Sequence, residues 1–214
     1  MAQKKLKWLL EELSGFEDPK ISLEQYATSP ELSLAMMDAI DELTPLDGAT
    51  VADLGCGCGM LMTTAAFAFS PSYVLGVEID DDAIATCCEN LEHAEVQDVC
   101  EVVQLDALAA GKAFGPIFDV VVMNPPFGTK NNAGMDMKFV NAGLSILKPG
   151  GSVYSLHKTS TRNFILKAAK NMENVEVDCI AELRWNLPQT YKFHKKKSVD
   201  VDVDLVRFKK LKIK

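Results

Sequence analysis

The chain has 214 residues, 48% of them hydrophobic, and a formal net charge of −8. Length and composition favour one domain with a full core and exclude a disordered or fibrous chain. The acidic balance excludes a uniformly basic nucleic-acid binder, although residues 192–214 hold nine Lys and Arg against three Asp, a net of +6 that leaves −14 on the rest.

Leucines at 6, 9, 10 and 13 repeat at helical spacing and predict a helix over 3–14, ended by Gly15. Residues 15–29 read as irregular, broken by Pro19. Ser29 suits an N-cap, Pro30 the first helical position and Glu31 the first turn, so a helix is predicted from there to about Leu43. Strand and helix signals then alternate. Strands are predicted at 50–54, 73–78, 99–104, 117–123 and 152–156, the last after a turn at Pro149-Gly150-Gly151. Helices are predicted at 59–69, 81–93, 136–147 and 161–171.

Two long strands, 175–185 and 198–208, close the chain with no convincing helix between them, so antiparallel pairing is expected. In the last, Val199, Val201, Val203 and Leu205 alternate with Asp200, Asp202 and Asp204, the pattern of a strand with one buried face. The whole reads as one α/β domain: a mostly parallel seven-stranded sheet with helices on both faces and an antiparallel C-terminal pair. Residues 1–47 form an N-terminal helical segment and 48–214 the core.

None of the six cysteines forms a C-x-x-C pair, and there are only three histidines, so no metal site is expected and the thiols read as reduced. No apolar run approaches a membrane span, and Lys4, Lys5 and Lys7 precede no signal-peptide core, so a soluble intracellular protein is expected.

Asp53-Leu54-Gly55-Cys56-Gly57-Cys58-Gly59 is a glycine turn between strand and helix, which brings backbone amides and a helix N-terminus close to a ligand. Asp53 at its mouth would repel a pyrophosphate and attract a cationic amino group, which favours S-adenosylmethionine over a dinucleotide. Glu78 ends the second strand, where a carboxylate can accept from both ribose hydroxyls. Asp80 and Asp81 suit a helix N-terminus, and Asp106 can take the adenine amino group of the cofactor.

Asn124-Pro125-Pro126-Phe127 follows the strand Ile117–Met123. An exocyclic aromatic amine is a poor nucleophile because its lone pair is delocalised. The Asn124 side-chain oxygen and the Pro125 carbonyl, held by the restriction that Pro126 imposes, can accept its hydrogens and favour a tetrahedral nitrogen. Phe127 can stack on the base, a contact of about 1–3 kcal/mol.

The ordered set D-L-G-C-G-C-G, G-V-E-I-D and N-P-P-F resembles class I S-adenosylmethionine-dependent methyltransferases acting on amino nitrogens. Gly15-Phe16-Glu17, residues 23–28, 124–132, 154–158 and 191–200 resemble, more narrowly, the eukaryotic methyltransferase-like enzymes that methylate one adenine N6 of small-subunit ribosomal RNA. These segments run from end to end, which implies a full-length member. The resemblance implies a Rossmann-like fold and cofactor contacts at Gln25, Thr28, Gly55, Cys58, Met60, Asp106 and Ala107. Glu78 stands where the family can have Asp. It also implies an RNA-facing basic segment at Lys192, Lys195, Lys196 and Lys197. A further implication is a heterodimer with a small zinc-binding methyltransferase activator, for which the third strand, Val99–Gln104, would be the exposed edge. The compartments implied are nucleus, nucleolus and cytoplasm.

Two rival readings are a glutamine methyltransferase of release factors, whose motif typically ends in Tyr and whose chain carries a separate N-terminal domain, and a silent RNA-binding scaffold. An intact Asn124, Phe127 and Glu78 count against the scaffold. DNA adenine methylation lacks a recognition domain to drive base flipping.

Overall fold

The computed structural model describes residues 2–128, 132–188 and 198–212. Helix α1 (Ala2–Glu12) ends slightly before the predicted boundary, and a 3-10 turn follows at Ile21–Leu23. α2 (Pro30–Leu43) starts as its sequence dictates: Ser29 Oγ accepts from Leu32 N at 3.2 Å, with Pro30 in the first turn. Its buried residues Leu32, Met36, Met37 and Ile40 share one face, packed towards the sheet.

Strand and helix then alternate as predicted through β1 (Thr50–Leu54), α3 (Met60–Phe69), β2 (Tyr73–Glu78), α4 (Asp81–His93) and β3 (Cys100–Gln104). A 3-10 turn at Ala107–Ala109 and the short helix α5 (Ala110–Ala113) have no counterpart among the predicted elements, being too brief to show a period. The rest are β4 (Phe118–Met123), α6 (Met135–Ile146), β5 (Leu147–Lys158), α7 (Arg162–Ala169), β6 (Val175–Pro188) and β7 (Ser198–Lys210).

The seven strands form one sheet in the order β3-β2-β1-β4-β5-β7-β6, parallel except where β7 runs against β5 and β6. Side chains alternate between two cores. Val51, Val120, Val122 and Leu205 face α2, α3 and α4, while Ala52, Leu54, Val121, Met123 and Phe208 face α6 and α7. The N-terminal helices α1 and α2 pack on each other and on α3, at one face of the sheet. Among the described residues, no helix is long and apolar enough to cross a membrane.

Two expectations are corrected. The turn at Pro149-Gly150-Gly151 is absorbed inside β5, where pairing jumps from Phe118–Leu147 to Val120–Ser152. A Cβ on Gly151 would lie 2.6 Å from the Asp119 carbonyl oxygen, so only glycine fits the close pass. Asp204 is fully buried instead of facing water. It shares its face with Val206 and Phe208, and the start of α7 covers that end of the strand. Arg162 clamps its carboxylate through Nε (2.6 Å) and Nη2 (2.7 Å), and Thr159 Oγ1 donates at 2.8 Å. Burial alone would raise this carboxyl; the Arg162 and Thr159 hydrogen bonds outweigh it and hold it below the ordinary value.

Candidate active site

The carboxyl ends of β1, β2 and β4 meet where the strand order reverses about β1, the place where open α/β sheets bind ligands. A cavity of about 530 Å³ lies there, within the ~300–1,000 Å³ common for small-molecule sites. Gln25, Thr28, Asp53, Gly55, Cys58, Met60, Glu78, Asp106 and Ala107, all expected at a cofactor, line it.

The floor is the glycine turn. Gly55, Gly57 and Gly59 adopt φ of 73°, 53° and 88°, a backbone that L side chains rarely tolerate. The Gly55 and Cys56 amides donate to Val77 O at 2.8 and 3.2 Å, binding the turn to β2. Glu78, 8% exposed, completes the tie: Oε2 accepts from Gly57 N at 2.9 Å, and Oε1 from Ile79 N at 2.8 Å and Asp80 N at 3.0 Å. A carboxylate offers about four acceptor positions. Three are taken, so a grip on both ribose hydroxyls requires one of these amides to give way.

Asp53 is 1% exposed; its Oδ2 accepts from Met62 N at 3.1 Å, while Oδ1 has no hydrogen-bond partner among the described residues. Burial first, with the nearby Glu78 charge adding and the Met62 amide opposing, pushes its carboxyl up to about 7. Cys58 contributes a neutral thiol, pushed up to about 12 mainly by burial. Asp106 is exposed, and its Oδ1 accepts from Leu108 N at 2.9 Å, which leaves Oδ2 at the rim.

The roof is the N-terminal segment. Gln25 is a strap rather than a free amide: Nε2 donates to Asp80 Oδ2 at 2.6 Å, and Oε1 accepts from Lys20 N at 2.6 Å. Lys20 Nζ pairs with both Asp80 and Asp82. Asp80 also caps α4, as its sequence position suggested. Asn90, unremarkable inside a helical pattern, clamps the segment to the turn: it accepts from Ser14 N (2.8 Å) and donates to Ser14 O (2.9 Å) and Cys58 O (2.8 Å). Phe16 covers Gly57 so closely that a Cβ there would sit 2.7 Å from its ring. Neither residue could be assigned from the sequence, because each acts across a long separation.

Asn124 and Pro126 line the same cavity. Asn124 Nδ2 donates to Thr28 Oγ1 at 3.0 Å. Pro125 is buried, and neither it nor Phe127 is part of the cavity wall. The half-buried Phe127 packs edge-on with the buried Trp185 (centroids 6.0 Å apart), and Lys158 Nζ stands 5.4 Å from its ring centre. Trp185 in turn meets Tyr26 at 6.5 Å, so one aromatic post supports both the roof and the Asn124–Phe127 loop. Beyond the motif, Asn132 Nδ2 donates to Glu24 Oε1 at 3.0 Å, and the buried His157 Nδ1 lies 3.3 Å from Asp136 Oδ2 at the start of α6. Lys192, Lys195, Lys196 and Lys197 lie outside the described residues.

The pattern of the methyltransferase small domain matches residues 32–179. The chain belongs to that methyltransferase family. It is 59% identical over 212 residues to the rRNA N(6)-adenosine-methyltransferase metl-5 of Caenorhabditis elegans, covering 99% of both chains. It is 46% identical to the rRNA N(6)-adenosine-methyltransferase METTL5 of Danio rerio, over 97% of this chain and 99% of that one. Among solved structures, protein PH1948 of Pyrococcus horikoshii superposes with a TM-score of 0.84 at 31% identity, covering 99% of this chain and 98% of that one.

A methyltransferase of this family and fold uses S-adenosylmethionine as methyl donor. The cavity fits that molecule: the orphaned Asp53 Oδ1 lacks a donor that the ammonium end can provide, and the glycine turn leaves no side chain in the way.

Proposed function

We propose that this methyltransferase modifies the N6 amino group of one adenine in small-subunit ribosomal RNA. The observation that carries the reading is the position of Asn124. Asn124 lines the cofactor cavity and donates one amide hydrogen to Thr28, while no donor among the described residues meets its Oδ1. The full-length similarity to rRNA N6-adenosine methyltransferases of worm and fish supports RNA adenine as the substrate.

S-adenosylmethionine supplies an electrophilic methyl group. The protein's part is to hold and sharpen the amine. Asn124 Oδ1 and the Pro125 carbonyl accept the two amine hydrogens and draw the lone pair out of the ring. Phe127, standing outside the cavity on its Trp185 support, offers a face to the target base. Alignment of the reacting atoms contributes up to about 7–11 kcal/mol when orientation is good. The methylated nitrogen is acidic enough to release its proton to water, so the site needs no strong base.

A small zinc-binding activator is the proposed partner. β3 is the last strand at one side of the sheet and pairs only with β2 among the described residues, which leaves an edge for strand addition over Cys100–Gln104. The reading places the protein where ribosomal RNA is made and used, the nucleolus and cytoplasm.

The test is methyl transfer from labelled S-adenosylmethionine to ribosomal RNA by the purified protein with its activator. Asn124→Ala should reduce transfer about 100-fold or more, on the scale of losing a transition-state hydrogen bond, with the RNA product mapped to a single adenine. Undiminished transfer by Asn124→Ala removes the assignment.

A further inference from the structure

Thr28 immediately precedes the N-cap of α2 and lies at the cavity wall, 8% exposed. Sequence resemblance implies a contact with the cofactor. It also meets the Asn124 loop: Oγ1 accepts from Asn124 Nδ2 at 3.0 Å, across 96 positions of sequence. A side-chain amide has a donor end and an acceptor end. Only the acceptor end can take a hydrogen from the reacting amine; a flipped amide would oppose donors to donors. The motif by itself leaves that choice open, because nothing in Asn-Pro-Pro-Phe tells the two ends apart.

We propose that Thr28 is a positioning residue for methyl transfer: its hydroxyl, which can pair with either end of an amide, anchors the Asn124 side chain at the cavity wall, in the observed arrangement through Nδ2. Three features make it a firm anchor. Its β-branched side chain restricts the rotamer. Burial shields the hydrogen bond from water. The next residue, Ser29, is fixed by the α2 cap, through Leu32 N on its hydroxyl (3.2 Å) and Ser33 N on its carbonyl (2.9 Å). The inference rests on the reading of Asn124 as acceptor for the amine.

The experiment compares Thr28→Val, which keeps the shape and removes the hydroxyl, with Thr28→Ser, which keeps the hydroxyl. With RNA and S-adenosylmethionine saturating, kcat of Thr28→Val should fall about 10–100-fold, the cost of a misplaced catalytic group. The Kd for S-adenosylmethionine by calorimetry should stay within about threefold, and Thr28→Ser should recover most of kcat. Thr28→Ala repeats the comparison with no branched methyl group in the way. A second readout needs no turnover: the side-chain NH2 resonances of Asn124 in ¹⁵N-labelled protein, assigned with Asn124→Ala, should move in Thr28→Val and return in Thr28→Ser. Unchanged kcat, a loss confined to cofactor affinity, or unmoved resonances would each overturn the proposal. A wild-type protein that methylates no RNA would instead sink the reading of function, and the resonances would still decide the Thr28 contact.

Discussion

Asp53 keeps one carboxylate oxygen on the Met62 amide and the other without a donor, in a wall that water barely reaches. Its carboxyl, pushed up to about 7 by that burial, binds a proton in the folded protein across a range where the unfolded chain has lost it. The stability this group contributes is therefore present below about pH 4 and is lost as pH rises through about 7. An ammonium group placed against Oδ1 reverses the preference and favours the charged carboxylate. Cofactor affinity should accordingly increase between pH 6 and 7 in the wild type and stay flat in Asp53→Asn, measured by calorimetry over that interval. A flat wild-type profile would detach Asp53 from the ammonium. The sequence showed that an acid stands before the turn; it could not show that one of its oxygens is orphaned, because that depends on how α3 seats above β1.

The glycine turn was legible as an element, since three glycines at alternate positions after a strand have few other uses. Its partners were not. Glu78 was expected at a ribose, yet its first duty is to hold the turn by accepting from Gly57 N. Gly57→Ala should then act twice. The left-handed backbone costs a Cβ-bearing residue about 1–2 kcal/mol, and the new methyl would press on the Phe16 ring, 2.7 Å away. Denaturant unfolding should show at least that loss, and cofactor binding should weaken as the Phe16 roof lifts. Full affinity in Gly57→Ala would mean that the roof is not part of the site. The N-terminal segment read as irregular for the same reason: its order comes from Asn90, Asp80 and Trp185, far along the chain, rather than from local periodicity.

At the scale of the molecule, the acidic body is tied together by carboxylates paired with cations. Asp80 with Lys20, Asp119 with Lys148 and Asp204 with Arg162 each hold a carboxyl below its ordinary value, the ion-pair hydrogen bonds outweighing burial. Such groups contribute stability that is present above the ordinary carboxylate value of about 4 and lost as pH falls through their lowered folded values. The denaturation midpoint should drop between pH 5 and pH 3, and Asp204→Asn should flatten part of that drop. A midpoint constant over that range would contradict the three pairs. The pairs span the N-terminal roof, the β4–β5 seam and the C-terminal strands, so acid should loosen the roof and the sheet together.

Periodicity and punctuation in the sequence determined the alternation of strands and helices, the antiparallel closing pair and the two motifs that mark cofactor and amine, because these depend on neighbours within a few residues. Tertiary structure alone decided that the Asn124 amide meets Thr28, why Asp204 is buried, and that Phe127 stands on Trp185 outside the cavity. Each of these is a contact between residues from 42 to 96 positions apart or between separate strands, set by how the sheet stacks its crossovers, and a pairing of that range leaves no trace in local spacing.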